Sequence, residues 1–295
     1  MRVLVLGAAG MLGHQLARGL GTGHTVVGAV RTVHHTAVRD LLEATCAQLL
    51  TGVEATEPGS VAEAIAAAQP EVVLNCIGVI KQLREATDAV ASISVNALFP
   101  HQLAGMCGAA GARLVHFSTD CVFSGDRGDY KESDVPDATD LYGRSKLLGE
   151  VEGPGCLTLR TSIIGRDLVK DVGLLEWFLG NRGGSVRGFR RAVFSGFPTV
   201  ELTRIVAWLI TEHPALEGVY HVASPPIDKY DLLLRIRDAM QLDIEIVPDD
   251  TLVIDRSLNC DRLRQETGFE PPDWTDMVRT LAVDARPYDE WRTRR

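Results

Sequence analysis

The chain has 295 residues, of which 45% are hydrophobic, 23% charged and 6% aromatic. These are the proportions of a globular protein, and they exclude a disordered, collagen-like or coiled-coil chain. The formal net charge is −9, from 30 Lys and Arg against 39 Asp and Glu. Because the whole chain therefore offers no attraction to nucleic acid or to an anionic membrane, we expect neither as a partner.

The cysteines and the start of the chain bear on its cellular location. Six cysteines are scattered without a CxxC pair and without a histidine at metal-ligand spacing, which is typical of reduced thiols in a cytoplasmic protein and predicts no disulfide and no zinc. The opening apolar run, residues 2–6, is interrupted at once by glycines, so we interpret it as a buried strand and not as a signal peptide. No run of 18 consecutive apolar residues occurs, and we expect no membrane-spanning segment.

Short β-branched apolar runs alternate with Ala- and Leu-rich stretches through the first half of the chain. The runs predicted as strands are residues 2–6, 25–30, 72–76, 113–117 and 157–160. The stretches predicted as helices are residues 12–20, 60–68, 90–108 and 142–152. Because continuous apolar strands separated by helices are buried on both faces, the pattern predicts an α/β fold with a doubly wound parallel sheet.

The alternation loosens after about residue 160. Residues 183–196 are rich in Gly and Arg, and we predict helices at 202–210 and 230–240, a short strand at 218–223, and polar loops in the rest of the tail. This change predicts a smaller C-terminal lobe that is interleaved with the last elements of the sheet.

A glycine motif follows the first predicted strand directly. Gly7, Gly10 and Gly13 have the spacing G-x-x-G-x-x-G, and Met11 and Leu12 open the next helix. In such a loop the first glycine allows a sharp turn, the second lets the backbone approach a pyrophosphate, and the third lets the helix pack on the sheet. The spacing alone is a weak signal, but its place between a strand and a helix favours a dinucleotide site over an ordinary Gly-rich turn.

The second predicted strand ends at Arg31, and the next acidic residue is Asp40. An acid at the end of this strand would bind the ribose 2′-hydroxyl of NAD, whereas an arginine accommodates the 2′-phosphate of NADP. Arg31 therefore predicts NADPH as the cofactor, with NADH as the alternative. A solvated loop charge is the other interpretation of this residue.

Tyr142 and Lys146 are four residues apart in a predicted helix and therefore share one face of it. Such a pair can be a plain surface contact. The chemical interpretation is that the ammonium stabilises the phenolate and lowers the Tyr142 pKa from about 10, so that the phenol becomes a usable proton donor. Upstream, Ser118 and Thr119 end a predicted strand, which puts their hydroxyls at the carboxyl edge of the sheet, where ligands bind.

Together with N-C-I-G at 75–78 and L-R-T-S at 159–162, these motifs resemble those of an extended short-chain dehydrogenase/reductase. Within that superfamily the chain is most similar to the dTDP-4-dehydrorhamnose reductase family, on the segments 118–125, 160–165 and 197–199. The resemblance covers nearly the whole chain. It implies an oxidoreductase that uses NAD(P)H to reduce the C4 keto group of a nucleotide-linked 4-keto-6-deoxyhexose, a step of deoxysugar biosynthesis.

The resemblance also implies a division of the chain. Residues 1–160 plus about 198–223 would form a Rossmann-type NAD(P)-binding domain, and about 161–197 plus 224–295 the substrate-binding lobe. It further implies a homodimer through the two predicted helices at 90–108 and 142–152, although the sheet could cover the apolar face of the first helix instead.

The catalytic roles follow from the same resemblance. Tyr142 would be the general acid that protonates the sugar C4 oxygen, Lys146 would hold the nicotinamide ribose, and Thr119 would polarise the substrate carbonyl, with Ser118 as the weaker candidate. Asn96 resembles the superfamily's structural asparagine, the alternative being an amide on a helix surface. The residues implied in cofactor binding are Gly7, Gly10, Met11, Leu12, Gly13, Arg31, Asn75, Cys76, Gly78, Ser118, Tyr142, Lys146 and Thr161.

The chain departs from its relatives at Cys121. Sugar nucleotide 4,6-dehydratases have a glutamate there, and a thiol is a poor replacement for that base, so dehydration is disfavoured. Rhamnose-type reductases usually have a tyrosine, so the identity of the sugar is open. Lys81 stands in a segment that is acidic in those reductases, which suggests a different substrate decoration.

Cations are needed for a nucleoside diphosphate in an acidic protein. Bidentate guanidinium groups suit phosphate, and Arg187, Arg190, Arg191 and Arg256 are the candidates, each with a solvated surface arginine as the alternative. The residues predicted to bind substrate are Asp120, Cys121, Lys81, Arg187, Arg190 and Arg256.

Two other functions stay open at this point. An epimerase of the same superfamily would keep its cofactor and return the hydride to the opposite face of the sugar. A non-catalytic regulatory subunit would keep the fold and bind a partner enzyme, but Thr119, Tyr142 and Lys146 are all present, which favours an enzyme.

Overall fold

The computed structural model describes residues 1–80, 87–168 and 173–293. Its strands are β1 Arg2–Leu6, β2 Thr25–Ala29, β3 Gln48–Leu50, β4 Val72–Asn75, β5 Arg113–Thr119, β6 Cys156–Thr161, β7 Ile163–Ile164, β8 Ser185–Phe189, β9 Ala192–Phe194, β10 Phe197–Pro198, β11 Gly218–His221, β12 Ile227–Asp228, β13 Glu245–Asp249 and β14 Ile254–Asp255. Its α-helices are α1 Met11–Leu20, α2 Thr36–Thr45, α3 Pro58–Ala68, α4 Ala89–Ser92, α5 Phe99–Ala110, α6 Leu141–Leu148, α7 Leu174–Leu179, α8 Thr199–Glu212, α9 Lys229–Met240, α10 Asp261–Thr267, α11 Trp274–Asp284 and α12 Tyr288–Thr293. The prediction for Lys81 lies outside the described residues.

Within the described ranges, seven strands form one sheet in the order β11-β6-β5-β4-β1-β2-β3. Every pairing in it is parallel, which confirms the predicted doubly wound parallel sheet. Strands β2 and β3 follow β1 toward one edge of the sheet, and strands β5, β6 and β11 follow β4 toward the other edge. The direction in which strands are added therefore reverses between β1 and β4. In open α/β sheets, ligands bind beyond the carboxyl ends of the strands at such a reversal.

The sheet is buried on both faces, as its apolar sequence requires. In β1, Val3 and Val5 belong to one core cluster and Leu4 and Leu6 to another, and all four are 0% exposed. Successive side chains of a strand point to opposite faces, so helices must cover both sides. The first cluster includes residues of α1, α8 and α11, and the second includes residues of α3 and α5.

The C-terminal part adds short strands and helices beside this sheet. β13 pairs with β8, and β9 lies between β12 and β14, while β11 returns to the edge of the main sheet beside β6. The division of the chain into two units with the boundaries given above stays a prediction. The predicted polar loops after α9 are wrong, because α10, α11 and α12 lie there.

The sequence carries a clear periodic pattern for α11, which the prediction overlooked, but only a weak one for α10 and α2. α11 buries Trp274, Met277, Val278 and Leu281, which is the i, i+3, i+4, i+7 pattern of a core-facing helix, whereas α10 buries only Leu263. The unpredicted α2 buries two residues. Short helices with so few apolar contacts carry little periodic signal.

Two helical segments flank the carboxyl end of β5. The helical path runs from α4 through a π-helical turn at Ile93–Leu98 into α5, close to the predicted 90–108. α6 ends at Leu148, four residues before the predicted end. A Cβ on Gly149 would lie 1.8 Å from the Asn96 carbonyl oxygen, so the chain passes too close to its neighbour for another residue type there.

No helix among the described residues is long and apolar enough to cross a membrane.

Candidate active site

A cavity of about 970 Å³ opens at the carboxyl ends of β1, β4 and β5, where the strand order reverses. Most of the predicted site residues line it. Those that do are Gly7, Gly10, Met11, Leu12, Arg31, Asn75, Cys76, Gly78, Ser118, Thr119, Asp120, Cys121, Tyr142, Lys146, Thr161 and Arg256.

The glycine motif forms a tight turn between β1 and α1. Gly7 has φ +76°, a left-handed conformation that favours glycine. A Cβ on Gly13 would lie 2.1 Å from the Gly7 carbonyl oxygen, so this glycine lets α1 pack directly on the turn and does not itself line the cavity. The nearest atom to a Cβ on Gly10 would be the Gly7 oxygen at 3.4 Å, which leaves the cavity side of this backbone open.

Arg31 lies at the outer end of the cavity beyond β2. Its guanidinium is 3.6 Å from a carboxylate oxygen of Glu54, and its side chain is 72% exposed. Thr32 and His34 line the same end and contact each other, with 3.1 Å between Oγ1 and Nε2. Because an exposed ion pair is weak, Arg31 stays available to an anion.

Two buried asparagines shape the wall beyond β4. The Asn75 Oδ1 accepts from the Ile77 amide at 3.2 Å, and the Asn96 side chain bonds both the amide and the carbonyl of Val79, at 2.8 and 2.9 Å. Asn96 is 1% exposed, which overturns the alternative of a helix-surface amide. It ties the loop after β4 to the π-helical turn and so fixes the backbone beside Gly78.

The hydroxyls at the end of β5 have different partners. Ser118 donates to a Glu150 carboxylate oxygen at 2.6 Å, and that carboxylate also pairs with the buried Arg160. Thr119 donates to Asp120 at 3.1 Å and accepts from the Cys121 amide at 3.1 Å. Both hydroxyls therefore have a carboxylate partner, but the Thr119 side chain also interacts with Tyr142, which makes Thr119 the better candidate for the site.

Tyr142 faces the cavity from α6 and interacts with the Thr119 side chain. Burial raises the pKa of Tyr142, and the neighbouring Cys121 and Asp120 add to the effect. The expectation that Lys146 lowers this pKa is wrong in this structure. The Lys146 Nζ donates instead to the Phe117 carbonyl at 2.7 Å, and burial lowers the pKa of Lys146 to about 8, against the opposing effect of Glu150.

A cationic group that the sequence did not reveal lines the same cavity as Tyr142. Lys229, at the start of α9, lines the cavity and is close enough to Asp120 for the two charges to interact, although burial lowers the pKa of the Lys229 ammonium. Arg256 lies beside it and donates to the Phe123 carbonyl at 2.8 Å. Burial raises the pKa of Asp120, while Thr119 and Arg256 oppose that shift.

The signal for Lys229 was weak. Lysine occurs only five times, at positions 81, 131, 146, 170 and 229, and the rarity of this residue type is the one sequence feature that sets Lys229 apart. Its approach to Asp120 depends on the folding of the C-terminal part onto the sheet.

The structure does not bring Arg187 and Arg190 to the cavity. Arg187 pairs with Asp249 and Arg190 with Asp250, and both guanidinium groups are more than half exposed. These ion pairs join β8 and the β8–β9 turn to the end of β13. Neither arginine is therefore part of the site that we propose below.

The residues present fit a dinucleotide. The open backbone at Gly10, the free amides at the start of α1, and a cavity continuous from Arg31 to Tyr142 supply an anion-binding turn, a basic outer end and a proton-donor end. Gly7, Gly10, Met11 and Leu12 would hold the pyrophosphate, and Lys146 and Thr161 lie at the other end.

A parallel sheet with a glycine turn after β1, a Tyr-x-x-x-Lys helix and a hydroxyl at the end of β5 defines an extended short-chain dehydrogenase/reductase. The family model described as RmlD substrate binding domain matches residues 1–286. The chain belongs to this family.

Individual relatives carry related names. The chain is 32% identical to a probable dTDP-4,6-dihydroxy-2-methyloxan-3-one 4-ketoreductase from Streptomyces antibioticus, over 81% of this chain and 78% of that protein. It is also 32% identical to the dTDP-4-dehydrorhamnose reductase of Mycobacterium tuberculosis, but over 50% of this chain and 44% of that enzyme. The structure of dTDP-4-dehydrorhamnose reductase from Bacillus anthracis in complex with NADP superposes with a TM-score of 0.76 at 20% identity, covering 96% of this chain and 99% of that one.

The lowered pKa of Lys146 predicts a pH-dependent stability. Between pH about 8 and the usual 10.5 the unfolded chain binds more protons at this site than the folded protein, so the free energy of unfolding rises with pH, by up to about 1.4 kcal/mol per unit. Urea unfolding of the parent and of Lys146→Met at pH 7, 8, 9 and 10 isolates the contribution of Lys146 to the free energy of unfolding, since the other groups titrate in both proteins. We expect the parent to gain stability relative to the variant above pH 8, and a flat or falling difference would contradict the assignment.

Proposed function

We propose that the protein reduces the C4 keto group of a nucleotide-linked 4-keto-6-deoxyhexose with NADPH, with NADH as the alternative donor. The observation that carries this proposal is that Thr119, Tyr142 and Lys146 meet in one cavity with the glycine turn. The names of the relatives support the substrate class, and the NADP in the Bacillus anthracis enzyme supports the cofactor. The six cysteines, all free thiols, support a cytoplasmic location.

The protein's own part in this reaction is to bind, orient and supply a proton. The bound nicotinamide would supply hydride. When substrate binds, the Thr119 hydroxyl would turn its one hydrogen from Asp120 to the ketone oxygen and polarise it. Tyr142 then gives its phenolic proton to the developing C4 alkoxide. A raised pKa keeps Tyr142 protonated at neutral pH, so the acid form is the one present before reaction.

Lys146 holds this end of the site in place. Its ammonium is fixed by the Phe117 carbonyl, one residue before Ser118, so it carries a positive charge next to the end of β5. In our proposal this ammonium holds the ribose of the nicotinamide. Thr161, at the end of β6, lines the cavity at the cofactor side.

A Tyr142→Phe variant tests the mechanism. Loss of the proton donor should lower kcat for NADPH oxidation with a competent 4-keto sugar nucleotide by about 10²- to 10⁴-fold, while the Kd for NADPH stays unchanged. The substrate is found by screening dTDP- and UDP-linked 4-keto-6-deoxyhexoses. Stoichiometric NADPH consumption favours the reductase, whereas turnover of a 4-hydroxy sugar without net oxidation would indicate an epimerase. Parental rates in Tyr142→Phe would refute the assigned role.

Arg256 and Lys229 hold the anionic part of the substrate in our proposal, together with Asp120 and Cys121 at the sugar. Arg256→Ala and Lys229→Ala should each raise the KM for the sugar nucleotide about tenfold or more, because each removes a charge-assisted contact. Arg187→Ala and Arg190→Ala are matched controls that lie outside the cavity, and they should leave this KM within about twofold. A larger rise in KM for Arg187→Ala and Arg190→Ala than for Arg256→Ala and Lys229→Ala would refute the placement of the substrate anion beside Arg256 and Lys229.

We further propose a homodimer through α4, α5 and α6. Large apolar side chains are exposed along this path, namely Val90 at 74% in α4, Ile93 at 49% and Leu98 at 53% in the π-helical turn, and Leu148 at 64% in α6. Exposed apolar side chains of this kind are typical of a subunit interface. The apolar face of the first helix is therefore not fully covered by the sheet.

Light scattering after gel filtration tests this interface. The parent should have the mass of two chains, and Val90→Asp should reduce it to the mass of one, because two buried carboxylates would face a desolvation cost. Val283→Asp, at a similarly exposed valine of α11, is the control and should stay dimeric. A parent with the mass of one chain would end the proposal.

A further inference from the structure

A buried polar chain lies behind the glycine turn, on the side away from the cavity. The Tyr288 hydroxyl in α12 is 2.6 Å from Nε2 of His14 in α1, and Nδ1 of His14 is 2.8 Å from the Gly10 carbonyl oxygen. His14 is 0% and Tyr288 1% exposed. These groups connect the C-terminal segment with the glycine turn, and no step of the reaction proposed above uses them.

The direction of each hydrogen bond follows from the acceptors. A carbonyl oxygen can only accept, so Nδ1 of His14 carries the hydrogen, and Nε2 is then the acceptor for the Tyr288 hydroxyl. The Tyr288 hydroxyl also lies 3.1 Å from Gln15 Oε1, but its one hydrogen goes to Nε2 in the shorter contact, because Gln15 Oε1 already accepts from Arg18 at 2.8 Å. Arg18 Nη1 also donates to the Tyr288 oxygen, at 3.2 Å. Burial lowers the pKa of His14 to about 4, so the ring is neutral and has one donor and one acceptor.

This chain fixes the first peptide plane of α1. The Gly10 oxygen accepts from the His14 amide at 3.0 Å as well as from the ring. In a trans peptide the N–H points opposite to the C=O, so the Met11 amide is directed away from the body of the helix, and Met11 lines the cavity. This amide is one of the donors at the start of α1 that have no partner within the helix.

The same C-terminal segment also braces the facing wall. Arg166 is buried, donates to the Ala285 carbonyl at 2.9 Å and lies over the Tyr288 ring at 5.2 Å. The next residue, Asp167, lines the cavity. Tyr288 therefore contacts both parts of the structure that border the cavity here: the glycine turn, through His14, and the segment of Asp167, through Arg166.

We propose that Tyr288 is a positioning residue for the cofactor. It acts through His14 on the Gly10 carbonyl and thereby orients the Met11 amide for the pyrophosphate of a dinucleotide. The inference rests on the function proposed above. Tyr288 would affect the affinity for the cofactor without changing the rate of the chemical step.

Replacing Tyr288 with phenylalanine keeps the ring and removes the hydroxyl, and with it the contacts of that hydroxyl to His14, Arg18 and Gln15. We expect Tyr288→Phe to raise the Kd and KM for NADPH about tenfold, because the His14 ring is no longer held on the Gly10 oxygen and the Met11 amide is no longer oriented before the cofactor binds, while kcat at saturating NADPH stays within about twofold. Tyr220→Phe is the matched control. Tyr220 is 2% exposed and its hydroxyl bonds Glu266 at the far edge of the sheet, so it loses a comparable group, and its Kd should stay parental.

A second pair of variants tests the route through His14. His14→Asn keeps an N–H donor for the Gly10 oxygen and has no Nε2, so we expect a Kd within about threefold of the parent. Tyr288→Phe added to His14→Asn should then have no further effect, because residues that act through one contact are not additive. A full additional tenfold loss in the double variant would overturn the route.

The tautomer of His14 can be read without any variant. In ¹⁵N spectra of the unliganded parent, the proposal requires hydrogen on Nδ1 of His14, and hydrogen on Nε2 would overturn it even if Tyr288→Phe fails to fold.

NADPH titration of the parent distinguishes failure of the proposed function from failure of the positioning role of Tyr288. If the parent binds neither NADPH nor NADH, the proposed function falls together with this role. If the parent binds NADPH and Tyr288→Phe binds equally well, only the positioning role is refuted.

Discussion

The contact between Gly13 and the Gly7 carbonyl determines where the rest of the site can lie. Because any side chain at position 13 would collide with that oxygen, the start of α1 can rest directly on the turn after β1, and its free amides are presented at the carboxyl edge of the sheet. The reversal of strand order between β1 and β4 opens the crevice at the same edge. Sheet topology and one close backbone approach therefore produce the anion-binding end of the cavity together.

At the end of the cavity that contains Thr119 and Tyr142, the buried polar groups are paired with one another. Lys146 is held by the Phe117 carbonyl, Ser118 by Glu150, and Glu150 by Arg160. Each of these groups would cost free energy if it were buried alone, so each fixes the position of the next. The end of β5 and α6 are thereby joined by buried polar contacts, and the side chains of Thr119 and Tyr142 line the cavity beside them.

Sequence patterns predicted the central sheet well because the evidence for it is local. The apolar runs, the glycine spacing and the Tyr-x-x-x-Lys pair each lie within one element or one turn, and parallel strands bring their ends to one edge. Arg187, Arg190 and Lys229 show where this reasoning stops. All are cations in the C-terminal part, and their positions depend on which carboxylates the fold brings near. Asp249 and Asp250 hold the two arginines outside, whereas Lys229 reaches Asp120 from across the cavity.

The difference between residues placed by local sequence and residues placed by the fold of the C-terminal part also bears on substrate selection. The backbone at Cys121 is fixed by α6, since a Cβ on Gly143 would lie 2.2 Å from the Cys121 carbonyl oxygen, so a change of residue at 121 alters the side chain without moving the chain. A small thiol leaves space that a larger side chain would fill, and Lys229 at the start of α9 and Arg256 just after β14 border that space. In the reaction that we propose, proton transfer depends on β5 and α6, and the fit of the sugar depends on elements that reach the site from the other end of the chain. Because different elements carry these two properties, a change in one need not alter the other, and the specificity of such a fold lies in its site residues.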